Sequence, residues 1–198
     1  MTEKSRKRRS FLDKVRAQVI IVVLRNEAGV RITLAELELD RVITSKEYSQ
    51  GDLDYGGVEF KQTSPLKINV VAELVGAEIR IRGHLATRLQ ASCDRCLGAV
   101  DLPVDRDFDL FYRPLKTIAK EEEVEIPAEE LEIGFYSGDG IELADVATEQ
   151  VILSVPMKVV CGTECRGLCP VCGANRNIVQ CTCSAPEQDS PFASLRGE

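Results

Sequence analysis

The sequence predicts an α+β protein: an antiparallel β-rich sheet or small open barrel, one packed helix, and a C-terminal Cys-rich zinc-knuckle segment. Three observations predict it. From about Val30 to Tyr112 the chain reads as short alternating strands separated by turn residues. One stretch with helical spacing follows a run of glutamates. Eight cysteines fall in short, paired spacings.

Val30–Ile32 and Val58–Phe60 are short alternating pieces. Leu66–Val75 and Glu78–Leu89 form a hairpin around Gly76-Ala77, with Ile79, Ile81 and Leu85 on one face and Arg80 and Arg82 on the other. Val100–Tyr112 alternates again, with Val104, Phe108 and Leu110 as core candidates, so Cys93-Asp-Arg-Cys96 sits at the tip of a second hairpin. Residues 116–140 concentrate glutamate from Glu121 to Glu132 around Pro127 and read as an acidic loop or linker. Asp139-Gly-Ile-Glu142 reads as a capping box opening a helix from Ile141 to about Ser154. Leu143, Val146, Ala147 and Gln150–Val151 approximate one face, and Pro156 stops it. The organisation is a basic extension over 1–29, a β domain over 30–115 carrying the first Cys pair, the acidic segment 116–140, and a helix with a Cys-rich segment over 141–198 packed on the β domain.

Composition narrows the function classes. The 198 residues are 44% hydrophobic and 29% charged, with a net charge of −7, 5% aromatic residues and no Trp. Charge is uneven: residues 1–16 hold seven basic against two acidic side chains, leaving 18 against 30 in the remainder. An acidic body with a basic tail does not suit a protein that grips nucleic acid over its whole surface, although the tail suits phosphate or an acidic partner. The longest aliphatic run, Val19–Leu24, is six residues, far short of the roughly 20 that a membrane-spanning helix needs. It is also too short for a secretory signal core and lacks an A-x-A-like site, so the expected location is cytoplasmic.

Without a secretory signal, the cysteines point to metal and not to disulfides. Cys93 and Cys96 form one C-x2-C pair, and Cys169-Pro-Val-Cys172-Gly173 forms another with the turn residues of a zinc knuckle. Cys181-Thr-Cys183 follows after eight residues, completing four thiolates within fifteen. Cys161 and Cys165 are then left to join Cys93 and Cys96 across 64 residues. One site with spare thiols satisfies the same spacings, and iron suits an all-thiolate set as zinc does. Either way the metal is structural: catalytic zinc keeps an open position, commonly beside His or a carboxylate. The single histidine, His84, lies outside every Cys cluster and reads as a strand residue facing solvent or a satisfied neighbour. There is no H-E-x-x-H, phosphate loop, nucleophile elbow or acid–base constellation. A redox reading of Cys93–Cys96 lacks the βαβ context of thioredoxin-like chemistry. The chain does not read as an enzyme.

Three stretches together carry a family resemblance: Cys93-Asp-Arg-Cys96-Leu97 after a hairpin, the helix Asp145-Val-Ala-Thr-Glu-Gln-Val-Ile-Leu-Ser-Val-Pro156, and the run from Cys161 through Asn175 and Asn177 to Cys183. In this combination and order the chain resembles the YceD family, bacterial and plastid proteins associated with accumulation of 23S ribosomal RNA. The likeness covers roughly residues 30–195, including the late Asp189-Ser-Pro-Phe-Ala-Ser-Leu195. It implies a cytosolic, non-catalytic factor in large ribosomal subunit biogenesis, with ribosomal RNA, a large-subunit ribosomal protein or an assembly factor as partner, and neither membrane nor small-molecule substrate. Some family members lack most of these cysteines, which implies that metal supports folding.

The contact candidates are Arg80, Arg82 and Arg88 on the hairpin, Arg95 on the knuckle, and Arg166 and Arg176 around the second cluster. Read plainly, the same arginines are solvated surface cations that offset thiolate charge. The absence of aromatic stacking residues near the knuckles weakens sequence-specific single-strand readout, and the Glu121–Glu132 patch offers a docking face for a basic protein. The alternative function is a metal- or redox-responsive regulator whose thiolates are the sensor.

Overall fold

The computed structural model of the chain describes residues 21–22, 29–115 and 133–184. Most of the basic extension, the Glu121–Glu132 patch and the Asp189–Leu195 motif therefore lie outside the described residues. Nine strands and two helices are present among those described: β1 (Ile21–Val22), β2 (Arg31–Thr33), α1 (Leu34–Leu39), β3 (Val42–Tyr48), β4 (Phe60–Gln62), β5 (Leu66–Val75), β6 (Glu78–Ser92), β7 (Ala99–Pro114), β8 (Ile133–Tyr136), β9 (Gly140–Glu142) and α2 (Leu143–Ile152). The chain divides into two units. The first is built from residues up to Val58, Gln62–Leu89 and Leu102–Val155, and the second from Glu59–Lys61, Gln90–Asp101 and the residues from Pro156 onward.

The first unit is built on a seven-stranded sheet in the order β1-β3-β5-β6-β7-β8, with β4 added to β6. It is open and does not close into a barrel. Nor is it wholly antiparallel: β1 runs parallel to β3 and β8 parallel to β7. Parallel pairing requires a crossover of about a dozen residues or more, and residues 23–41 and 115–132 supply that length. The centre is antiparallel. Strand β5 pairs with β6 from Lys67↔Ala86 to Val75↔Glu78, leaving Gly76-Ala77 as a two-residue turn. Gly76, at φ 65°, takes the left-handed conformation that such hairpin turns demand of their first central residue.

Alternation in β6 buries Ile79, Ile81, Leu85 and Leu89 completely, each worth roughly 1.5–3 kcal/mol relative to exposure. Across the sheet Val104, Phe108 and Tyr112 of β7 are buried, while Leu110 is only half-buried. Helix α2 contributes Leu143, Val146, Ala147 and Val151 to the same core, and Arg106 of β7 donates to Ser154 Oγ at its end.

Helix α2 does not begin where the sequence suggests. Gly140–Glu142 is strand β9, paired with β2 through Ile32↔Ile141, and the helix starts at Leu143 with no side-chain cap. The expected capping acids are used otherwise: Asp139 and Glu142 both pair with Arg31, at 2.6 and 2.9 Å. The Leu143 N–H donates instead to the Val30 carbonyl. A capping box does exist, at Thr33 and Glu36, and it opens α1, an element absent from the sequence reading. Within the segment read as an acidic loop, Ile133–Tyr136 forms β8.

Candidate metal centres

The second unit is organised by two turns of the same build. Between β6 and β7, the Cys93 N–H donates to the Gly98 carbonyl at 2.8 Å and the Leu97 N–H to the Cys93 carbonyl at 2.8 Å. In Cys169–Ala174 the Cys169 N–H donates to the Ala174 carbonyl at 2.8 Å and the Gly173 N–H to the Cys169 carbonyl at 2.9 Å. Each turn points its two thiols the same way, which is the local requirement of a tetrahedral thiolate site.

Tertiary structure completes each set. The sulfurs of Cys93, Cys96, Cys161 and Cys165 all lie within 4.8 Å of one another, as do those of Cys169, Cys172, Cys181 and Cys183. In the first set Cys93 and Cys165 are 3.9 Å apart and Cys96 and Cys161 3.7 Å apart. Zn–S bonds of about 2.3 Å put the edges of a sulfur tetrahedron at about 3.8 Å, whereas a disulfide needs about 2.05 Å. All eight thiols are free. The donor set therefore fits a metal, and each cluster could hold one ion.

Electrostatics agrees. Burial raises the Cys93 thiol, but N–H groups of Arg95, Cys161 and Cys96 outweigh it and bring it down to about 6. The thiols of Cys165 and Cys96 push Cys161 up to about 12. In the second set the N–H groups of Cys172 and Val171 bring Cys169 to about 6, and Cys172 pushes Cys183 up to about 11. Four adjacent thiolates repel one another, so without a cation only some ionise; a divalent ion turns that repulsion into attraction.

Supporting residues that the sequence reading left without roles hold the first cluster. Asp94 and Val159 exchange bonds: the Asp94 N–H donates to the Val159 carbonyl at 2.8 Å, and the Val159 N–H to Asp94 Oδ2 at 2.6 Å. Asn175 Nδ2 donates to the Cys96 carbonyl and Asn177 Nδ2 to Cys165 Sγ. Such bonds orient metal ligands and tune their basicity. The sequence signal was the Asn-Arg-Asn run inside the Cys cluster, since Asn readily bonds nearby backbone in turns. Gly167, at φ 69°, lies where a Cβ would come within 3.0 Å of the Arg95 carbonyl.

The family described as "Large ribosomal RNA subunit accumulation protein YceD" matches residues 81–197, a span that contains all eight cysteines. The chain belongs to this family. The match begins inside β6, well after residue 30. The chloroplastic "Large ribosomal RNA subunit accumulation protein YCED homolog 1" of Arabidopsis thaliana is 21% identical over 166 residues, 69% of this chain and 49% of that protein. An uncharacterized Mycobacterium tuberculosis protein is 28% identical over 117 residues, 59% of this chain and 54% of its own length. One from Mycobacterium leprae is 25% identical over 113 residues, 57% and 49% respectively. The chain thus spans about half the length of these curated relatives. No solved structure gives a significant match.

Within this YceD-family chain the six candidate arginines divide by environment. Arg80 forks onto Asp109 at 2.9 and 2.6 Å and lies over the Phe111 ring at 5.2 Å. Arg82 pairs with Glu73 at 2.9 Å. Arg95 turns its guanidinium onto the Cys165 and Thr163 carbonyls, at 3.3 and 3.5 Å. Arg88, Arg166 and Arg176 are exposed. His84, in the sheet unit, has Nδ1 2.9 Å from Asp107 Oδ1. No helix among the described residues is long and apolar enough to cross a membrane.

Proposed function

We propose that this protein is a non-catalytic, cytoplasmic factor in biogenesis of the large ribosomal subunit, supporting accumulation of 23S ribosomal RNA. The observation that carries this reading is the family match over residues 81–197. Its partner is ribosomal RNA, a large-subunit ribosomal protein or another assembly factor. Arg88, Arg166 and Arg176 are the better contact candidates, because Arg80, Arg82 and Arg95 already spend their charge or donors within the fold. The two four-cysteine sets are read as structural zinc sites, closed by four thiolates with no position for substrate. Zinc there supplies cross-linking and charge neutralisation, not chemistry on a ligand.

Depleting the protein in its host and measuring the ratio of large- to small-subunit ribosomal RNA tests the reading. A selective fall in the large-subunit RNA supports it; an unchanged ratio with the protein absent overturns it. The exposure of Cys161, Cys172 and Cys183 favours a second reading, a metal- or redox-responsive regulator. Cys169→Ser separates the two. Loss of fold supports a structural site, and an intact fold with altered response to oxidant or chelator supports sensing.

A further inference from the structure

Helix α2 turns two rows of side chains away from the core. Ala144, Thr148 and Ile152 recur at one-turn spacing, and beside them stand Asp145, Glu149 and Leu153. Both rows border a groove of about 480 Å³, closed on its other side by Asp52, Leu53 and Asp54 from the loop after β3. Leu53 is buried, whereas Leu153 is 62% exposed.

The rim of this apolar groove carries four exposed carboxylates, Asp52, Asp54, Asp145 and Glu149. Among the described residues none of the four forms a salt bridge; Asp52 and Asp54 accept the N–H groups of Ser49 and Gly56, and Glu149 accepts the Tyr112 hydroxyl. Elsewhere in the same unit several acids have cation partners: Glu73 with Arg80 and Arg82, Glu78 with Arg113, and Asp139 with Arg31. Burial, with the charges of Glu142, Asp145 and Asp52, also pushes the partnerless Tyr48 hydroxyl up to about 12.

We propose that this groove docks a Lys/Arg-rich protein segment carrying an apolar anchor. The anchor fills the space between Leu53 and Leu153, and flanking cations meet the four rim carboxylates. A nucleic acid would bring phosphate against the same four like charges. The inference goes beyond the biogenesis reading and stands on the chemistry of the groove alone.

The test measures binding of a labelled amphipathic Lys/Leu peptide to the full metal-loaded chain. A poly-lysine peptide without leucine and a single-stranded RNA serve as competitors. Asp145→Asn combined with Glu149→Gln should weaken the Lys/Leu peptide about tenfold, the loss of two exposed ion pairs. Leu153→Ser should weaken it as well, while Glu47→Gln leaves it unchanged and circular dichroism shows every variant folded. A photo-crosslinker at a leucine position of the peptide should label residues 143–153 or 52–54. Equal affinity for wild type and groove variants overturns the proposal. So does poly-lysine binding as tightly as the Lys/Leu peptide, competition by RNA for the same site, or crosslinks elsewhere. The ribosomal RNA ratio in depleted cells is a separate readout, so either proposal can fail while the other stands.

Discussion

Leu97 stands after the first Cys pair where Gly173 stands after the second. Their φ angles are 58° and 72°, and each donates its N–H to the carbonyl of the first cysteine of its pair. For a residue with a Cβ the left-handed conformation costs roughly 1–2 kcal/mol, and Leu97, 66% exposed, recovers little of that by packing. Leu97→Gly should therefore leave stability unchanged or raise it by less than about 1 kcal/mol, relief of strain being offset by the freer unfolded chain. Gly173→Ala should lower it by about 1–2 kcal/mol. Denaturant titration of the metal-loaded protein compares the two; equal losses would show that the turns do not share their strain.

Two sets of four sulfurs could hold two ions per chain. Native mass spectrometry of protein purified with zinc should find two, falling to one in Cys93→Ser/Cys96→Ser and to one in Cys169→Ser/Cys172→Ser. A wild-type count of one would support the single-site grouping. Chelation should abolish the folded signal of the Cys-rich unit, since site formation and folding are one equilibrium in such segments.

Gly83 sits in β6 where a side chain has no room. A Cβ there would overlap Phe108 of β7 and come 2.7 Å from the Asn69 carbonyl of β5 and 2.9 Å from Val70. The backbone oxygen cannot swing aside as a flexible side chain would. Gly83→Ala should destabilise the sheet unit by about 1–3 kcal/mol, read as a fall in the midpoint of thermal unfolding. A neutral result would mean that β5 and β7 can part locally.

The Arg80–Asp109 pair should make stability depend on pH in one direction. The bond from Arg80 holds the Asp109 carboxyl below the usual carboxylate range, against the opposing effect of burial. A depressed folded pKa stabilises above the unfolded value of about 3.9 and ceases to as pH falls through the lower folded value. Asp109 is 44% exposed, so solvent limits the contribution to at most about 1 kcal/mol. Asp109→Asn should cost that much near pH 7, and the gap to wild type should close as pH falls through the lowered folded value, beneath the ordinary carboxylate range. A gap that persists in acid would assign the loss to packing.

What the sequence determined by itself is what the chain can settle within a few residues. Period-two alternation and the Gly76-Ala77 turn define β5 and β6, because hairpin neighbours are joined by the shortest connection. C-x2-C spacing places Cys93 beside Cys96 and Cys169 beside Cys172, because a single turn holds both thiols. The capping box at Thr33 and Glu36 was equally local, but its helix of six residues is too short to show an apolar period. Only the tertiary structure decided the rest. It gathered eight cysteines into two sets of four where the spacings also allowed a single site, spent Arg80 and Arg82 on Asp109 and Glu73, and turned Gly140–Glu142 into a strand. It also added parallel strands at both ends of the sheet. These outcomes join residues that no local turn connects, so each depends on which surfaces the remaining fold brings within reach, and spacing along the chain carries no record of that.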